Sequence, residues 1–210
     1  MAQRLMRPGK TMSSGTRTVQ GRRSSSERRA AIMVGEHLRV QARRVIVGLD
    51  ESGKSTIVTD APTPVRVATP GFTVCDIWRI DALPLQLPAD DATTGEVLLD
   101  PPHTGFVYRV TTFPPDSEWD AATEWSSSLE EMSGSGSLVD GSDDGPVGLH
   151  QTDTVDIVTI ISGELVAITE TSETVLRPGD SLVQNGTVHT WANRGDMPCM
   201  KVALQIGAKR

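Results

Sequence analysis

The region 148–193 constrains the fold most, because it consists of short strand-forming runs separated by tight turns. Within 154–168, β-branched and apolar residues predominate and are broken by Ser162-Gly163-Glu164, a pattern that is typical of a β-hairpin. Pro178-Gly179 and Asn185-Gly186 mark two further turns between short strands. Short strands at this spacing predict an antiparallel barrel or a double-sheet roll.

Two histidines and one carboxylate in this region have the spacing to meet inside such a barrel. Because side chains alternate between the two faces of a strand, His150, Thr152 and Asp156 share one face. His189 and Trp191 share a face of a later strand in the same way. If both faces line the interior, two imidazoles and one carboxylate converge there. That set is the composition of a facial-triad site for non-haem Fe(II), and it also suits Mn, Ni or Zn.

The first part of this region resembles the first signature motif of the cupin family. His150 matches the first histidine of that motif, Asp156 stands where the family has a Glu, and Gly163 closes the motif at the family's spacing. Thr152 departs from the pattern, because the family has its second metal histidine there.

The second part resembles the second cupin motif. Gly179 opens it, and His189 and Asn193 close it. The segment between the glycine and the histidine is one residue short, and Asn185-Gly186 replaces the usual Pro-x-Gly. The resemblance covers about the last third of the chain. It implies an all-β fold, an antiparallel double-stranded β-helix, to which the rest of the sequence adds an N-terminal β-hairpin and one short helix.

The resemblance also implies a metal-dependent enzyme that acts on a small organic molecule, with His150, Asp156 and His189 as the metal ligands. Fe(II) and an oxidoreductase of the dioxygenase type are favoured, because the ligand set resembles that of oxygen-activating iron sites. Decarboxylase, dehydratase and isomerase activities stay open, as does a module that binds a small ligand without catalysis. No catalytic residue is singled out. The side chains expected to contact a substrate are Thr152, Gln184, Trp191, Trp78 and Tyr108.

Charge is divided unevenly along the chain. Residues 1–30 hold eight basic residues against Glu27 alone, a local charge of +7, which leaves −14 for residues 31–210. An acidic body does not suit nucleic acid, whose binding requires Lys and Arg to neutralise phosphates. We therefore expect a small-molecule substrate and no nucleic-acid partner.

Residues 1–32 are rich in Arg, Ser and Gly, show no hydrophobic periodicity, and are predicted to be a disordered basic tail. Three interpretations stay open. These are a start of translation further downstream at Met33, a targeting peptide, and a solvated tail.

Gly48 to Ser55, with the sequence GLDESGKS, fits the phosphate-binding pattern G-x-x-x-x-G-K-[ST]. That motif functions only where a helix begins at the Lys-Ser pair, because the helix N-terminus binds the phosphates. The residues that follow are β-branched and are then interrupted by Pro62 and Pro64. The sequence therefore favours a β-hairpin here over a nucleotide site.

Residues 33–116 are expected to supply N-terminal strands that pack on the barrel, among them Phe72 to Ile80 and Phe106 to Phe113. Ser117 to Met132 is predicted to be a helix with Trp119, Ala122 and Leu129 facing inward. A mobile Gly/Ser-rich loop follows up to residue 145, and the cupin core spans residues 146–207. The helix and loop are either a lid over the barrel or an ordinary surface excursion.

The two cysteines, Cys75 and Cys199, match no metal or redox spacing, so we expect two buried thiols in a reduced, cytoplasmic protein. No apolar run approaches the roughly 18–20 residues that cross a bilayer, which predicts no membrane association. A homodimer is expected, because barrels of this kind often pair through their sheet edges.

Overall fold

The structure is a computed structural model that describes residues 35–133 and 146–210. In these ranges the chain forms eleven β-strands, one α-helix, and two short 3₁₀ turns at Glu36–Arg39 and Asp116–Glu118. The strands are β1 (Arg43–Leu49), β2 (Ser55–Pro62), β3 (Arg66–Ala68), β4 (Thr73–Ile80), β5 (Phe106–Phe113), β6 (Thr154–Ser162), β7 (Leu165–Thr169), β8 (Glu173–Leu176), β9 (Ser181–Asn185), β10 (His189–Ala192) and β11 (Cys199–Gly207), and the helix is α1 (Ala121–Glu130).

Two antiparallel sheets form the barrel. The larger has six strands in the order β3-β4-β5-β11-β6-β9, and the smaller has three in the order β10-β7-β8. A backbone bridge to His189 adds His150, which lies in the segment before β6, to the smaller sheet beside β10. The predicted all-β double-stranded β-helix, with an N-terminal hairpin and one short helix, is confirmed.

The main core lies between the two sheets and consists mainly of aliphatic side chains, together with four aromatic residues. Val158 and Ile160 on β6 and Leu165 on β7 are almost completely buried. Each such side chain contributes roughly 1.5–3 kcal/mol by leaving water. The sheets are therefore held together by packing, and a group of polar side chains faces the cavity in the interior.

The segment that matches the phosphate-binding pattern is a β-hairpin. β1 pairs antiparallel with β2 from Arg43 opposite Pro62 to Leu49 opposite Ser55. Asp50 organises the turn, because its side chain accepts backbone hydrogen bonds from Ser52 and Lys54. A strand begins at the position where a phosphate-binding loop requires a helix, so the preference for a hairpin is confirmed.

The helix is shorter than predicted. Asp120 caps it by accepting a hydrogen bond from the backbone N–H of Ala122, and α1 then runs to Glu130. Trp125 and Leu129 join the core. Trp119 precedes the helix in an extended conformation and is partly buried. The prediction that Ala122 faces inward is wrong, because burial begins one turn later, at Trp125.

The predicted basic tail 1–32 and the loop 134–145 lie outside the described residues. The lid therefore stays a prediction. Along the described ranges, no helix is both long enough and apolar enough to cross a membrane. Cys75 and Cys199 are both buried free thiols, as predicted.

Candidate functional site

A cavity of about 80 Å³ lies in the barrel interior between the two sheets. Its wall is mostly apolar and aromatic, with a group of polar side chains exposed to its interior. The polar residues in the wall are Arg109, Thr111, His150, Asp156, His189, Lys201 and Gln205, and the aromatic ones are Phe72, Phe113, Trp125 and Trp191. A mostly apolar cavity with a few convergent polar groups is the usual form of a small-molecule site.

Two of the predicted metal ligands, His150 and His189, lie side by side in this wall. They exchange both backbone hydrogen bonds, at 2.9 and 3.0 Å, and their ring centroids are 4.3 Å apart. Gly148 has a φ of +77°, which turns the chain immediately before His150. A side chain at Gly148 would contact the ring of Trp125, so the glycine also allows that ring to pack against the turn.

Hydrogen bonds fix the tautomer of both imidazoles. Nδ1 of His150 lies 3.0 Å from the carbonyl oxygen of Gly148, and Nδ1 of His189 lies 2.9 Å from that of Thr187. A carbonyl oxygen can only accept, so each Nδ1 carries the proton and donates it. In the described part of the chain no hydrogen bond reaches either Nε2. Each neutral ring therefore presents an Nε2 lone pair.

Burial keeps both rings neutral. It lowers the pKa of His189 to about 3, and the neighbouring His150 and the positive charge of Lys201 add to this effect. Burial also lowers the pKa of His150, although Asp156 opposes this change. Neutral imidazoles with a fixed Nδ1–H are the form in which histidines bind metal ions.

Asp156 lines the same cavity from β6. Its Oδ2 accepts a hydrogen bond of 3.1 Å from Nε2 of Gln205, which lies directly opposite on β11. Its Oδ1 is buried and has no hydrogen-bond partner. The carboxylate thus keeps one free acceptor atom in the interior.

The three predicted metal ligands only partly fit a metal ion. The two Nε2 atoms have the chemistry of ligands, because each Nδ1 is held by a backbone carbonyl oxygen. Across residues 35–133 and 146–210, however, no three or more His, Cys, Asp or Glu side chains form a group that can hold an ion. Asp156 is one methylene shorter than the Glu of the cupin motif, and one of its oxygens is engaged by Gln205. The three-residue ligand set thus stays a prediction.

A buried lysine that the sequence reasoning missed, Lys201, lines the cavity from β11 and is only 7% exposed. Its Nζ lies 3.7 Å from the centroid of the Trp191 ring and 5.2 Å from that of Phe113. No ion pair or hydrogen bond joins this Nζ to any other described residue. Burial lowers the pKa of Lys201 to about 7, although the negative charge of Asp156 partly opposes the change.

The other cation in the wall, Arg109, is neutralised. Its Nε lies 3.0 Å from Oδ1 of Asp76, and its side chain also donates to the carbonyl oxygen of Leu98 at 2.7 Å. Both members of the ion pair are at most 5% exposed. Lys201 is therefore the cationic group of the cavity wall that has no counter-ion in contact.

Two predicted substrate contacts hold the turns beside the site and do not line it. The Thr152 hydroxyl pairs with that of Thr154 at 2.8 Å. Gln184 donates from Nε2 to the carbonyl oxygen and the hydroxyl of Thr187, at 2.6 and 2.7 Å. Since Thr187 accepts from Nδ1 of His189, Gln184 supports the turn that orients that ring.

Trp78 and Tyr108, also predicted to wall the pocket, lie elsewhere. Tyr108 is 37% exposed, because the side chains of β5 alternate: Val107 and Arg109 point inward, and Tyr108 between them points outward. Trp78 pairs with Tyr108 across the strands and lies in a separate hollow below the β1–β2 hairpin. Of the five predicted contacts, only Trp191 lines the cavity.

The remaining two histidines do not reach the cavity. Nε2 of His37 pairs with the carbonyl oxygen of Thr69, and Nδ1 of His103 pairs with that of Ala208. Neither side chain lines the cavity wall.

The sequence of β11 contains an alternating pattern that indicates a strand. Residues 199–207 alternate strictly, with Met200, Val202, Leu204 and Ile206 on one face. This apolar face is half-buried on the outside, and the face with Lys201 and Gln205 is turned inward. The alternation alone would have predicted the strand, although it would have assigned the polar face to solvent.

Comparison with known proteins gives structural likenesses of low sequence identity. No family model matches the chain, and no curated protein matches it. The chain is similar to the Cupin_2 domain of an XRE family transcriptional regulator from Enterobacter cloacae, with 19% identity over 50% of this chain and 83% of that one, at a TM-score of 0.31.

Two further likenesses are to cupin-type structures. One is a Cupin 2 conserved barrel domain protein from Salinispora arenicola, with 11% identity over 68% of this chain and 80% of that one, at a TM-score of 0.36. The other is an uncharacterised protein with a double-stranded β-helix domain from Klebsiella pneumoniae, with 16% identity over 69% and 84%, at a TM-score of 0.39. These likenesses concern the fold alone.

The strand order and the paired histidines of the two motifs define a double-stranded β-helix barrel with an interior cavity, so the fold that the cupin resemblance implies is confirmed.

Proposed function

We propose that this protein is a cupin-type enzyme that acts on a small organic molecule in the cavity beside His150 and His189. The observation that supports the proposal is the hydrogen-bond pattern that the two rings share. Both donate from Nδ1 to a backbone carbonyl and keep Nε2 free, which is how proteins prepare histidines for a metal ion.

A divalent ion is the cofactor of this proposal, and His150 and His189 hold it, with Asp156 as the third predicted ligand. When bound, such an ion polarises a substrate oxygen or lowers the pKa of a bound water. Fe(II) and an oxidoreductase of the dioxygenase type remain our preference, because two imidazoles and a carboxylate suit non-haem iron, and Mn, Ni and Zn are the alternatives.

The second candidate is a module that binds a small ligand without metal or catalysis. It is favoured by the absence, within the described ranges, of a three-residue metal cluster and by the positive side chain of Lys201 in the cavity wall. An ammonium group there repels a divalent cation, because like charges interact strongly in a low-dielectric interior.

Metal analysis separates the two candidates. The untagged protein is purified without chelator and with limited oxygen, and Fe, Mn, Ni, Cu and Zn are measured by elemental analysis. The enzyme candidate predicts near-stoichiometric metal in the wild type and in His103→Ala, whose imidazole lies outside the cavity, and loss of metal in His189→Ala. A wild type that stays without metal after reconstitution favours the binding module.

A homodimer and a cytoplasmic location belong to the same proposal. Light scattering of the purified protein tests the dimer, and a monomer at all accessible concentrations contradicts it.

A further inference from the structure

The cavity contains an unusual mixture of unsatisfied polar atoms. Four hydrogen-bond acceptors have no partner in the described part of the chain: Oδ1 of Asp156, Oε1 of Gln205, and Nε2 of His150 and of His189. Buried polar groups are normally paired, and leaving one unpaired costs about 1–3 kcal/mol. Oδ1 of Asp156 and Oε1 of Gln205 are two such buried atoms beside one cavity, which indicates that a bound group supplies a donor there.

Lys201 adds a positively charged hydrogen-bond donor to these acceptors. Its Nζ has three donors and a positive charge, the residue is only 7% exposed, and Nζ lies over the faces of Trp191 and Phe113. Arg109 cannot share this role, because Asp76 neutralises it. The indole N–H of Trp125 is a second, neutral donor without a partner.

We propose that the cavity binds a small 2-hydroxy acid, whose carboxylate pairs with Nζ of Lys201 and whose hydroxyl donates to the unpaired Oδ1 of Asp156. This inference rests on the proposed function only in taking the cavity as the ligand site. It assigns Lys201 as the residue that determines specificity for an anionic ligand.

The positive charge of Lys201 and the unpaired acceptor of Asp156 together determine the class of ligand. A neutral ligand leaves the ammonium without a counter-ion, which is costly in an interior. A simple carboxylate without a hydroxyl neutralises Lys201 but has no hydrogen-bond donor. Oδ1 of Asp156 then stays without a hydrogen bond. A hydroxyl between the carboxylate of the ligand and that of Asp156 satisfies both requirements.

Size supports a small ligand. The cavity is about 80 Å³, smaller than the roughly 150 Å³ cavity that accommodates benzene. Lactate is therefore a suitable probe. Lactamide is its neutral counterpart of nearly the same shape, and propionate lacks only the hydroxyl.

The test measures the Kd of these three compounds by ligand-observed NMR at about pH 6.5, on chelator-treated wild type and on Lys201→Met, which keeps the length of the side chain without its charge. Charge-assisted hydrogen bonds contribute about 1.5–3 kcal/mol, so we expect lactate to bind wild type about 10–150-fold more tightly than lactamide. We expect Lys201→Met to bind lactate more weakly than wild type does by the same factor, and to bind lactamide with the Kd of wild type. Propionate should bind wild type more weakly than lactate.

Three results overturn the proposal: equal affinity of lactate and lactamide for wild type, unchanged lactate affinity in Lys201→Met, or no saturable binding of lactate by wild type at millimolar concentrations. Propionate that binds as tightly as lactate overturns the assignment of the hydroxyl. The comparison of the three compounds on wild type does not depend on the folding of a variant. Failure here is distinct from failure of the metal proposal, because Lys201→Met should hold at least as much metal as wild type and His189→Ala should lose it.

Discussion

His150 and His189 are joined by two backbone hydrogen bonds, and their rings lie 4.3 Å apart. They come from sequence motifs that are almost 40 residues apart, one before β6 and the other at the start of β10. The bridge holds both backbones in fixed register, and each Nδ1 is held by a carbonyl oxygen two residues upstream. The direction of both Nε2 lone pairs is therefore built into the backbone of the barrel.

Because these rings are buried in their neutral form, we expect the free energy of unfolding to fall in acid. Because the pKa of His189 falls to about 3 from an ordinary value of 6.5, the unfolded chain binds a proton between these values and the native protein does not. Stability is therefore complete above pH 6.5 and falls as the pH decreases to about 3. At pH 5.5 this histidine alone should lower the stability by roughly 1 kcal/mol relative to pH 7.5.

Urea unfolding at the two pH values, in wild type and in His189→Gln, measures this cost. The variant should lose less stability between pH 7.5 and 5.5 than wild type does. His103→Gln removes an exposed histidine and should behave as wild type. An equal loss in wild type and His189→Gln contradicts the buried neutral ring.

Lys201 should reduce the stability of the ligand-free protein. Its pKa of about 7 lies below the ordinary 10.5, so the unfolded chain binds more protons between these values and stability rises with pH across this window. Lys201→Met should be more stable than wild type at pH 7, by roughly 1–4 kcal/mol, because it removes a buried charge. The difference should narrow at pH 9, and a difference that widens with pH rejects this account.

The ion pair of Asp76 and Arg109 should be sensitive to loss of one partner. Asp76→Asn leaves a guanidinium that is almost fully buried without its counter-ion, and breaking such pairs typically costs about 3–5 kcal/mol. The matched control is Asp60→Asn, which breaks the exposed pair with Arg43 and should change stability little. Thermal unfolding of both variants checks the prediction, and similar melting temperatures contradict it.

Gly148 should tolerate a methyl group poorly. Gly148→Ala combines a φ of +77° with a contact of 2.3 Å to the ring of Trp125, whereas Gly53→Ala combines a φ of +79° with no neighbour within 4 Å. Both variants bear the backbone strain, so their difference isolates the displacement of Trp125. We expect Gly148→Ala to be less stable than Gly53→Ala by about 1–3 kcal/mol in urea unfolding. Equal stabilities would show that the tryptophan moves without cost.

The sequence was sufficient for features set by local chemistry. Pro62 and Pro64 excluded a helix after Lys54, and β2 occupies that position. The two motif histidines met as predicted, because strand alternation and the turns around them determine which face they occupy.

The sequence was not sufficient where burial depends on partners from distant strands. Lys201 and Gln205 look like solvent-facing residues of an amphipathic strand, yet β11 lies between β5 and β6 and turns them into the cavity. Trp78 and Tyr108 look like pocket residues because they are aromatic, but the pleat of β4 and β5 directs them away from the cavity. Which face of a sheet is interior is a tertiary property that alternation alone does not reveal.

The tautomers of His150 and His189 are the most direct test of the central claim, and long-range ¹H–¹⁵N NMR of the imidazoles measures them. Our account predicts that at pH 7, without metal, both rings are neutral and protonated at Nδ1, and that adding Zn²⁺ shifts both Nε2 signals while the Nδ1 protons stay in place. A ring protonated at Nε2, or Nε2 signals that do not respond to metal in either ring, would contradict a site prepared for a metal ion.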